Sequence, residues 1–311
     1  MSKSYSDPLD RILDLASIPH LPPAEPRVTP ASPEADKIAR LLPFLRCPET
    51  GQGLRLAADG SLTTDDGSRS WPVVAGRPNL FPGLRRPKIH PATHVSNPLD
   101  QSALDLIRDT DGMVLNLSAG GTAEKFAHVI EAEAAVFRHT DVIADAHRLP
   151  FADGSLACVV AYNAFEHYHH PRRVAEEIFR VLRPGGRVLI RTAFLQPLHE
   201  APWHFYNCTK YGLELWFEGF EALSLGVSDN FQPAHALAWL ASECEKALRC
   251  DLSRAAAERF SNATVGEFIT MWRDPASRAG ELWQNLSRIS PASQEVTAAG
   301  FEYLGRRPAA E

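Results

Sequence analysis

Four apolar runs between residues 114 and 192 form the strongest hydrophobic pattern of this 311-residue chain. They cover residues 114–117, 141–146, 156–165 and 187–192, and a shorter run at 129–130 lies between the first two. The runs lead into small or acidic residues, a pattern typical of strands buried in a parallel sheet. The carboxyl ends of such strands form the ligand-binding edge of an open α/β sheet. The sequence therefore predicts a doubly wound α/β fold with its site at that edge.

Apolar residues at helical spacing flank these runs and predict helices. The face that precedes the first run consists of four residues: Leu99, Ala103, Leu106 and Ile107. A second face, within residues 174–182, ends at Pro184-Gly185-Gly186, which stop a helix. Beyond residue 220, amphipathic helices are expected, and core packing is the default role of their apolar positions, Leu237 and Leu248 among them.

The first third of the chain divides into three segments by composition. Residues 1–37 combine a short helical pattern with a proline-rich stretch, which predicts a helix followed by an extended linker. Residues 38–82 predict a small β-rich module, because short strand patterns flank the turn Ala58-Asp59-Gly60. Residues 83–98 are again proline-rich and predict a second linker, and residues 99–311 form the main domain with added C-terminal helices.

Composition narrows the classes of function. The chain is 44% hydrophobic, its formal net charge is −6, and both signs of charge are mixed along it. We expect no nucleic-acid partner, because no basic stripe is present. We also expect a soluble cytoplasmic protein without membrane contact, because neither a membrane span nor a signal peptide is recognisable. The five scattered cysteines argue against a disulfide framework.

Two of the predicted strand ends carry motifs of a known family. The turn after the first run reads Ser118-Ala119-Gly120-Gly121, and the second run continues as Asp145-Ala146-His147-Arg148-Leu149-Pro150-Phe151. The latter resembles the Asp-Ala-x-x-Leu-Pro-Phe motif of methyltransferases related to ubiquinone and menaquinone biosynthesis enzymes. Residues 114–186 as a whole resemble the core of class I S-adenosylmethionine-dependent methyltransferases, of the type 11 subgroup. The resemblance implies a Rossmann-like methyltransferase sheet and S-adenosyl-L-methionine as the cofactor.

The chain departs from that family at the first turn. The family pattern is Asp-x-Gly-x-Gly-x-Gly, and this chain has Asn116, Ser118, Gly120 and Thr122 at those places. Only residues 122–128 separate the turn from the next apolar run, whereas a parallel crossover normally takes about a dozen residues. We therefore expect that the first helix is abbreviated or that the second strand is displaced.

The resemblance also implies roles for residues along the sheet edge. Glu133 would bind both ribose hydroxyls, because one carboxylate can accept two hydrogen bonds. Asp145 and Ala146 would hold the adenine. The alternatives are a solvated acidic loop for Glu133 and a turn cap for Asp145. The complete predicted set of cofactor-binding residues is Asn116, Ser118, Ala119, Gly120, Glu133, Asp145, Ala146 and Asn163.

Residues 194–212 are polar and aromatic, and they follow the last run, where substrate loops lie. They resemble a loop of the subgroup, with His204 and Asn207 in place of an Asp and an Arg. His199 is the first candidate for a general base or substrate anchor, His204 is the second, and His167 is a candidate base at the end of the fourth strand. The alternative for Glu166-His167 is a structural lock between strand and helix. The predicted substrate-binding residues are Gln196, His199, Trp203, Tyr206 and Asn207.

Two segments suggest metal sites, and we predict that neither holds a metal. Residues 45–78 resemble zinc-ribbon-like modules related to methyltransferase activator subunits, yet Cys47 is their single cysteine, and a zinc ribbon needs four ligands. We expect this module to pack on the catalytic domain or to cover its substrate side. Residues 166–171 contain three histidines without the helical spacing of a ligand set.

The sequence thus predicts an S-adenosylmethionine-dependent methyltransferase that acts on a small-molecule or glycan acceptor, with oxygen as the methylated atom. Methyl transfer is an in-line displacement, so positioning of the acceptor should dominate catalysis. A homodimer is left open. Two other classes compete with this interpretation: a degenerate protein that binds a nucleoside without turnover, and an interaction protein whose N-terminal module contacts a partner enzyme.

Overall fold

The computed structural model describes residues 33–302 and residue 306. The short helix and nearly all of the proline-rich linker predicted for residues 1–37 therefore lie outside the described residues.

A helix and two small antiparallel sheets open the described chain. Helix α1 (Pro33–Leu41) is followed by a three-stranded sheet of β1 (Leu54–Leu56), β2 (Leu62–Thr64) and β3 (Ser70–Trp71). Strands β4 (Val73–Val74) and β5 (Arg77–Pro78) form a two-stranded ribbon. Strands β1 and β2 pair across the Ala58-Asp59-Gly60 turn, with Leu56 opposite Leu62, as the hairpin pattern predicts.

The central sheet has five parallel strands, and helix α2 (Gln101–Arg108) precedes it. The strands are β6 (Val114–Leu117), β7 (Val129–Glu133), β8 (Val142–Ile143), β9 (Leu156–Tyr162) and β10 (Leu182–Arg191). Their spatial order is β10-β9-β6-β7-β8. The chain runs outward in one direction from β6 to β8 and in the other from β9 to β10. The order therefore reverses between β6 and β9, where ligands of such sheets bind. The predicted doubly wound α/β class is confirmed.

Among the described residues, the connection from β9 to β10 is the one between strands of the central sheet that contains an α-helix, α3 (Pro171–Val181). Residues 118–128, between β6 and β7, contain none, and neither do residues 134–141, between β7 and β8. Strand β7 still pairs with β6 in parallel, with Val129 opposite Val114. The second strand is thus not displaced, and the expected abbreviated helix is reduced to irregular backbone.

The N-terminal elements share one hydrophobic core with the central sheet. Leu45, Leu62 and Trp71 belong to the same buried cluster as Leu115 and Ile130. Backbone bonds also connect the two parts: the amide of Arg46 donates to the Pro150 carbonyl at 2.9 Å, and that of Leu80 donates to the Ile143 carbonyl at 2.8 Å. The small module packs on the sheet, and buried apolar area of this kind is a main source of stability.

In the part of the chain that the structure describes, six α-helices follow the sheet: α4 (Lys210–Trp216), α5 (Pro233–Asp251), α6 (Arg254–Ser261), α7 (Val265–Arg273), α8 (Glu281–Ser287) and α9 (Pro291–Thr297). They form a second, smaller core around Leu248, Ala257 and Ile289. Within residues 33–302, no helix combines the length and the apolar character that a membrane crossing requires.

Candidate functional site

A cavity of about 1880 Å³ lies at the carboxyl edge of the central sheet. Its walls include residues that end or follow β6, β7, β8 and β9: Leu117, Ser118, Glu133, Asp145 and Asn163. The loop after β10 contributes residues 194–197, His199 and Trp203. Typical small-molecule sites measure roughly 300–1,000 Å³, so this cavity has room for a cofactor and a second molecule. The predicted cofactor edge and the predicted substrate loop therefore enclose the same space.

The turn after β6 is shaped by left-handed backbone and by two polar contacts. Ser118 has φ of 53° and Gly120 has φ of 64°, a region that glycine adopts easily and other residues rarely. The Ser118 hydroxyl lies 2.6 Å from the Tyr168 hydroxyl. The Gly120 amide donates to Oε1 of Glu133 at 2.5 Å. The turn is thus held against β7 and against the 165–168 segment at the cavity wall.

The segment that the sequence predicts as a second linker packs directly on this turn. The Gly121 amide donates to Oγ of Ser96 at 2.9 Å, and the Ser96 amide donates back to the Gly121 carbonyl at 3.0 Å. A Cβ atom at Gly121 would lie 2.4 Å from the His94 carbonyl oxygen. Gly121 is therefore required by the close approach of protein backbone, and His94, Ser96 and Asn97 form part of the cavity wall.

Two carboxylates on the sheet edge have pKa values shifted in opposite directions. Burial raises the pKa of Glu133 to about 7, against the lowering effect of bonds from the Gly120 and Ala134 amides. Burial also acts to raise the pKa of Asp145, but hydrogen bonds from the side chain and backbone of His147 outweigh it and hold this pKa below its ordinary value. Asp145 is therefore ionised at neutral pH, whereas Glu133 titrates there.

Asp145 caps a short helical turn and still lines the cavity. Its Oδ1 accepts from the His147 amide at 2.9 Å and from His147 Nδ1 at 2.7 Å. Both of these hydrogen bonds end on Oδ1, and Asp145 also belongs to the cavity wall. The capping role and the predicted adenine role are thus compatible.

Asn163 provides a test of whether the edge fits a nucleoside cofactor. It has φ of 48° and lines the cavity directly after β9. Its Oδ1 is buried and has no hydrogen-bond partner among the described residues. A buried acceptor of this kind requires a donor from outside the chain or from water. Together with Glu133 and Asp145, it gives the edge three acceptors suited to ribose hydroxyls and amino groups, so these residues fit S-adenosylmethionine.

The remaining predicted cofactor residues are distributed unevenly. Ser118, Gly120 and Ala146 line the cavity beside the three hydrogen-bond acceptors named above. Asn116 is buried within β6, Ala119 is buried in the turn, and neither contributes to the cavity lining. Tyr168 is a residue that the sequence analysis missed, and its only sequence signal is its position two residues after Glu166.

A cluster of histidines lies at the other end of the cavity. Glu166 and His167 belong to the short helical turn Phe165–His167 after β9, and the Glu166 carbonyl accepts from the Phe205 amide at 2.8 Å. This bond brings the loop after β10 onto the turn. The ring of His199 lies 5.1 Å from that of His167 and 4.2 Å from that of His204, between centroids. The structure therefore brings all three predicted catalytic histidines together.

Hydrogen-bond partners determine which ring nitrogens remain available. His167 Nδ1 lies 3.0 Å from the Trp203 carbonyl, and His199 Nδ1 lies 2.9 Å from the Pro197 carbonyl. A carbonyl only accepts, so both Nδ1 atoms carry hydrogen, and the Nε2 atom of each neutral ring is an acceptor. His204 differs, because its Nδ1 accepts from the His199 amide at 3.2 Å and its Nε2 donates to Asn207 at 3.2 Å.

Glu166 lies beneath these rings and is fully buried. Its Oε2 accepts from the Thr192 hydroxyl at 2.8 Å, while Oε1 has no hydrogen-bond partner within the described part of the chain. Burial raises the pKa of Glu166 and lowers the pKa values of His167 and His204, because burial disfavours the charged form of each group.

The predicted substrate residues divide into wall and support. Gln196, Trp203 and Asn207 line the cavity together with His199. The Asn207 side-chain amide donates to the Gln196 carbonyl at 3.0 Å, which shapes the loop. Tyr206 and His204 do not contribute to the cavity lining. Tyr206 instead donates to the His169 carbonyl at 3.2 Å, so it connects the loop to the segment after β9.

Helix α5 contributes a wall that the sequence analysis assigned to the core. Core packing is correct for Leu248, which is fully buried, but wrong for Leu237, which is 71% exposed and lines the cavity. Trp239 lies beside it, with its ring 5.2 Å from that of His199. Helical periodicity alone does not distinguish a core face from a cavity face.

Comparison with known proteins finds a family profile that matches part of the chain. Residues 121–190 match the family profile described as a methyltransferase domain. This segment contains β7 to β9 and most of β10, together with the residues proposed above for ribose and adenine. Over these residues the chain is therefore similar to methyltransferase domains. S-adenosylmethionine is the cofactor that such a domain uses, in agreement with the sequence prediction.

Individual relatives of this methyltransferase domain match over limited stretches. An uncharacterized methyltransferase of Mycolicibacterium gilvum is 50% identical over 50 residues, which cover 16% of this chain and 20% of that protein. The uncharacterized protein YafE of Escherichia coli is 29% identical over 128 residues, which cover 39% of this chain and 56% of that protein. The chain thus spans less than two thirds of the length of either relative.

Among solved structures, phosphoethanolamine N-methyltransferase 2 of Haemonchus contortus, in complex with S-adenosyl-L-methionine, aligns with a TM-score of 0.32. The two are 15% identical, and the alignment covers 58% of this chain and 49% of that one. The profile match begins at residue 121, so it does not extend to the N-terminal module, and the zinc-ribbon-like resemblance of that module has no support from it.

Proposed function

We propose that this protein transfers the methyl group of S-adenosylmethionine to an oxygen atom of a small organic acceptor bound in the same cavity. The observation that carries the proposal is the cavity itself, which joins the hydrogen-bond acceptors of the sheet edge to His167 and His199. A nucleoside at one end and an acceptor at the other would lie side by side, as an in-line transfer requires.

The cofactor would be held by the strand ends. Asp145 and Ala146 would bind the adenine, Glu133 would accept from the ribose hydroxyls, and the Ser118–Gly120 turn would contact the amino-acid part. Asn163 would supply a further hydrogen-bond acceptor. When bound, S-adenosylmethionine supplies an electrophilic methyl group on a sulfonium. Every other requirement falls on the protein: orientation, exclusion of water, and removal of the acceptor proton.

Proton removal is assigned to His199. The Pro197 carbonyl holds its Nδ1–H, so the Nε2 lone pair is oriented rather than free to exchange roles with Nδ1. A neutral imidazole in this state can accept the proton of an acceptor hydroxyl as the new bond to carbon forms. His204 is a positioning residue in this scheme, because both of its ring nitrogens are occupied by His199 and Asn207.

The walls indicate the class of acceptor. Beyond the histidines, the cavity is lined mainly by apolar and aromatic side chains: Phe194, Leu195, Trp203, Phe231, Leu237 and Trp239. Such walls favour a molecule with an apolar body that presents a hydroxyl to the histidines. They favour a small organic acceptor over a glycan, which remains the second class to test.

Two measurements test the proposal in sequence. Titration calorimetry with S-adenosylmethionine should show binding to one site per chain. If no binding occurs at millimolar cofactor, the methyltransferase and the nucleoside-binding hypotheses both fail, and an interaction protein remains. An assay with methyl-labelled cofactor and fractionated small-molecule extracts should then label an acceptor. Binding without any transfer, with glycans included among the acceptors, would identify a degenerate nucleoside-binding protein.

A further inference from the structure

The cluster at the far end of the cavity has the composition of a metal site that the sequence analysis did not recognise. Glu166, His167 and His199 each offer one ligand atom, and these atoms all lie within 4.8 Å of one another. Two imidazoles and a carboxylate form the protein ligand set of many zinc enzymes, and the same set binds other divalent transition metals. Ligands about 2.0–2.2 Å from one ion lie roughly 3–3.5 Å apart, so small side-chain shifts would complete the site.

The hydrogen bonds around the histidines are those of metal ligands. A metal-binding histidine commonly donates its second ring N–H to a carbonyl or carboxylate, which orients the ring and fixes the tautomer. His167 makes this bond with the Trp203 carbonyl and His199 makes it with the Pro197 carbonyl. Both Nε2 lone pairs are thereby directed away from those carbonyls and remain available for an ion.

The carboxylate gives an independent indication of a ligand. Glu166 is fully buried, and its Oε1 has no hydrogen-bond partner among the residues described. Its second oxygen is held by the Thr192 hydroxyl at 2.8 Å, so the carboxylate is oriented by a neighbour, as metal-bound carboxylates are. A buried charge without a partner is costly, and metal coordination is one of the ways in which proteins compensate it.

Three protein ligands leave one coordination position open. His167 and His199 line the cavity, so that position faces the space proposed for the acceptor. In catalytic zinc sites the corresponding position holds water or substrate, whereas structural sites are closed by a fourth protein ligand. His204 is the nearest further imidazole, but both of its ring nitrogens are engaged.

We propose that Glu166, His167 and His199 bind one divalent transition-metal ion of the zinc type, with its open position toward the acceptor side of the cavity. The ion would bind through one oxygen of Glu166 and through Nε2 of each histidine. It would occupy the lone pair that His199 otherwise uses as a base. In the metal-loaded protein, His199 would therefore hold the ion and would not remove a proton. The binding claim does not depend on the proposed methyl transfer.

The test measures metal binding on the full chain, purified without an affinity tag that contains histidine. The protein is stripped with a chelator, dialysed against Zn²⁺, and analysed for bound zinc by mass spectrometry. Affinity is then determined by competition with a chromophoric chelator, and Co²⁺ is used in parallel because its visible spectrum reports coordination by nitrogen and oxygen. The wild type should retain about one zinc ion per chain.

Three variants complete the test. Glu166→Gln and His199→Gln should each weaken zinc binding by more than about 100-fold, since loss of even an outer-shell partner costs 10–100-fold. His170→Gln is the matched control: it is the same substitution as His199→Gln, made at an exposed residue three positions after His167, whose ring lies beside His147 and His169. It should bind zinc as the wild type does. Zinc should raise the melting temperature of the wild type and of this control only.

The proposal would be overturned if the wild type bound much less than one zinc ion per chain, or if Glu166→Gln and His199→Gln bound zinc with the affinity of the wild type. Circular dichroism identifies any variant that fails to fold, and Thr192→Val, which removes the bond to Oε2, then serves as a milder second variant with an expected loss of about tenfold. Calorimetry with S-adenosylmethionine on the same samples separates the two proposals. Zinc binding without cofactor binding would end the methyltransferase proposal and leave the metal site in place.

Discussion

The two ends of the cavity are built in different ways. At the cofactor end, Glu133 ends β7, and Ser118 and Asn163 directly follow β6 and β9. Their positions depend on strand register. At the histidine end, His199 and His204 lie on a loop without regular structure. The ring of His199 is held by the Pro197 carbonyl, and the ring of His204 is held by the His199 amide and by Asn207. A site on regular strands is more precisely held than a site on a loop, so cofactor binding should tolerate loop substitutions that abolish chemistry.

The two ends also differ in charge. The cofactor end keeps Asp145 ionised and places the pKa of Glu133 at about 7. At the histidine end, burial favours the neutral forms of Glu166 and His167. The first end is suited to a ligand that donates hydrogen bonds, and the second is suited to accepting a proton or a cation. Substitutions at the two ends should therefore separate binding from turnover.

The largest expected effect is on turnover. His199→Gln should lower kcat for methyl transfer by about 10²–10⁴-fold, because general-base catalysis contributes that much, while the Kd for S-adenosylmethionine changes by less than about threefold. Calorimetry and a labelled-methyl assay measure the two quantities. His170→Gln is the control, with both quantities unchanged. Equal losses of cofactor affinity and turnover in His199→Gln would remove the division between the two ends.

The next effect is on cofactor affinity. Asp145→Ala should weaken S-adenosylmethionine binding by roughly 10–150-fold, because hydrogen bonds to charged groups contribute about 1.5–3 kcal/mol. Calorimetry measures the affinity, and Asp105→Ala, on the exposed surface of α2, is the matched control. Affinity that survives Asp145→Ala unchanged would defeat the adenine assignment.

A third substitution tests the support of the cofactor end by the 94–97 segment. Gly121→Ala should destabilise the fold by about 1–3 kcal/mol, because the added methyl group meets the His94 backbone carbonyl and overpacks the turn. Chemical denaturation measures the loss. Gly226→Ala adds the same methyl group where no atom lies within 4 Å, so it should leave stability nearly unchanged. A neutral Gly121→Ala would show that the segment does not press on the turn in solution.

The smallest effect is a pH dependence of cofactor binding. The pKa of Glu133 is about 7, above its ordinary value of 4.5, so its carboxylate is mostly protonated at pH 6 and mostly ionised at pH 8. The ionised form accepts two hydrogen bonds from the ribose, so affinity should rise by up to about tenfold between these pH values and stay level above pH 8. Titrations of the Glu133→Gln variant should be flat over the same range, and an equal slope in both proteins would exclude Glu133 as the source.

The fold, and the convergence of most of the residues proposed for the cofactor at one edge of the sheet, were largely predictable from sequence. Runs such as residues 114–117 and 156–162 are continuously apolar because both faces of a parallel sheet are buried, and this signal does not depend on distant contacts. The Asp145-Ala146 motif then located the predicted adenine site. The 83–98 segment was harder, because a proline-rich composition is shared by linkers and by segments that pack on a turn. The wall formed by α5 was missed because exposed apolar positions at helical spacing resemble a core face.

The sequence by itself determined the α/β class, the order of its strands along the chain and the methyltransferase resemblance, because these depend on local periodicity and short motifs. Only the tertiary structure decided that Glu166, His167 and His199 meet. His199 is separated from Glu166 and His167 by more than thirty residues of helix and strand along the chain. The three residues converge because β9 and β10 are neighbouring parallel strands that end at one edge. The distances between these residues in the folded protein therefore cannot be inferred from their separation along the chain.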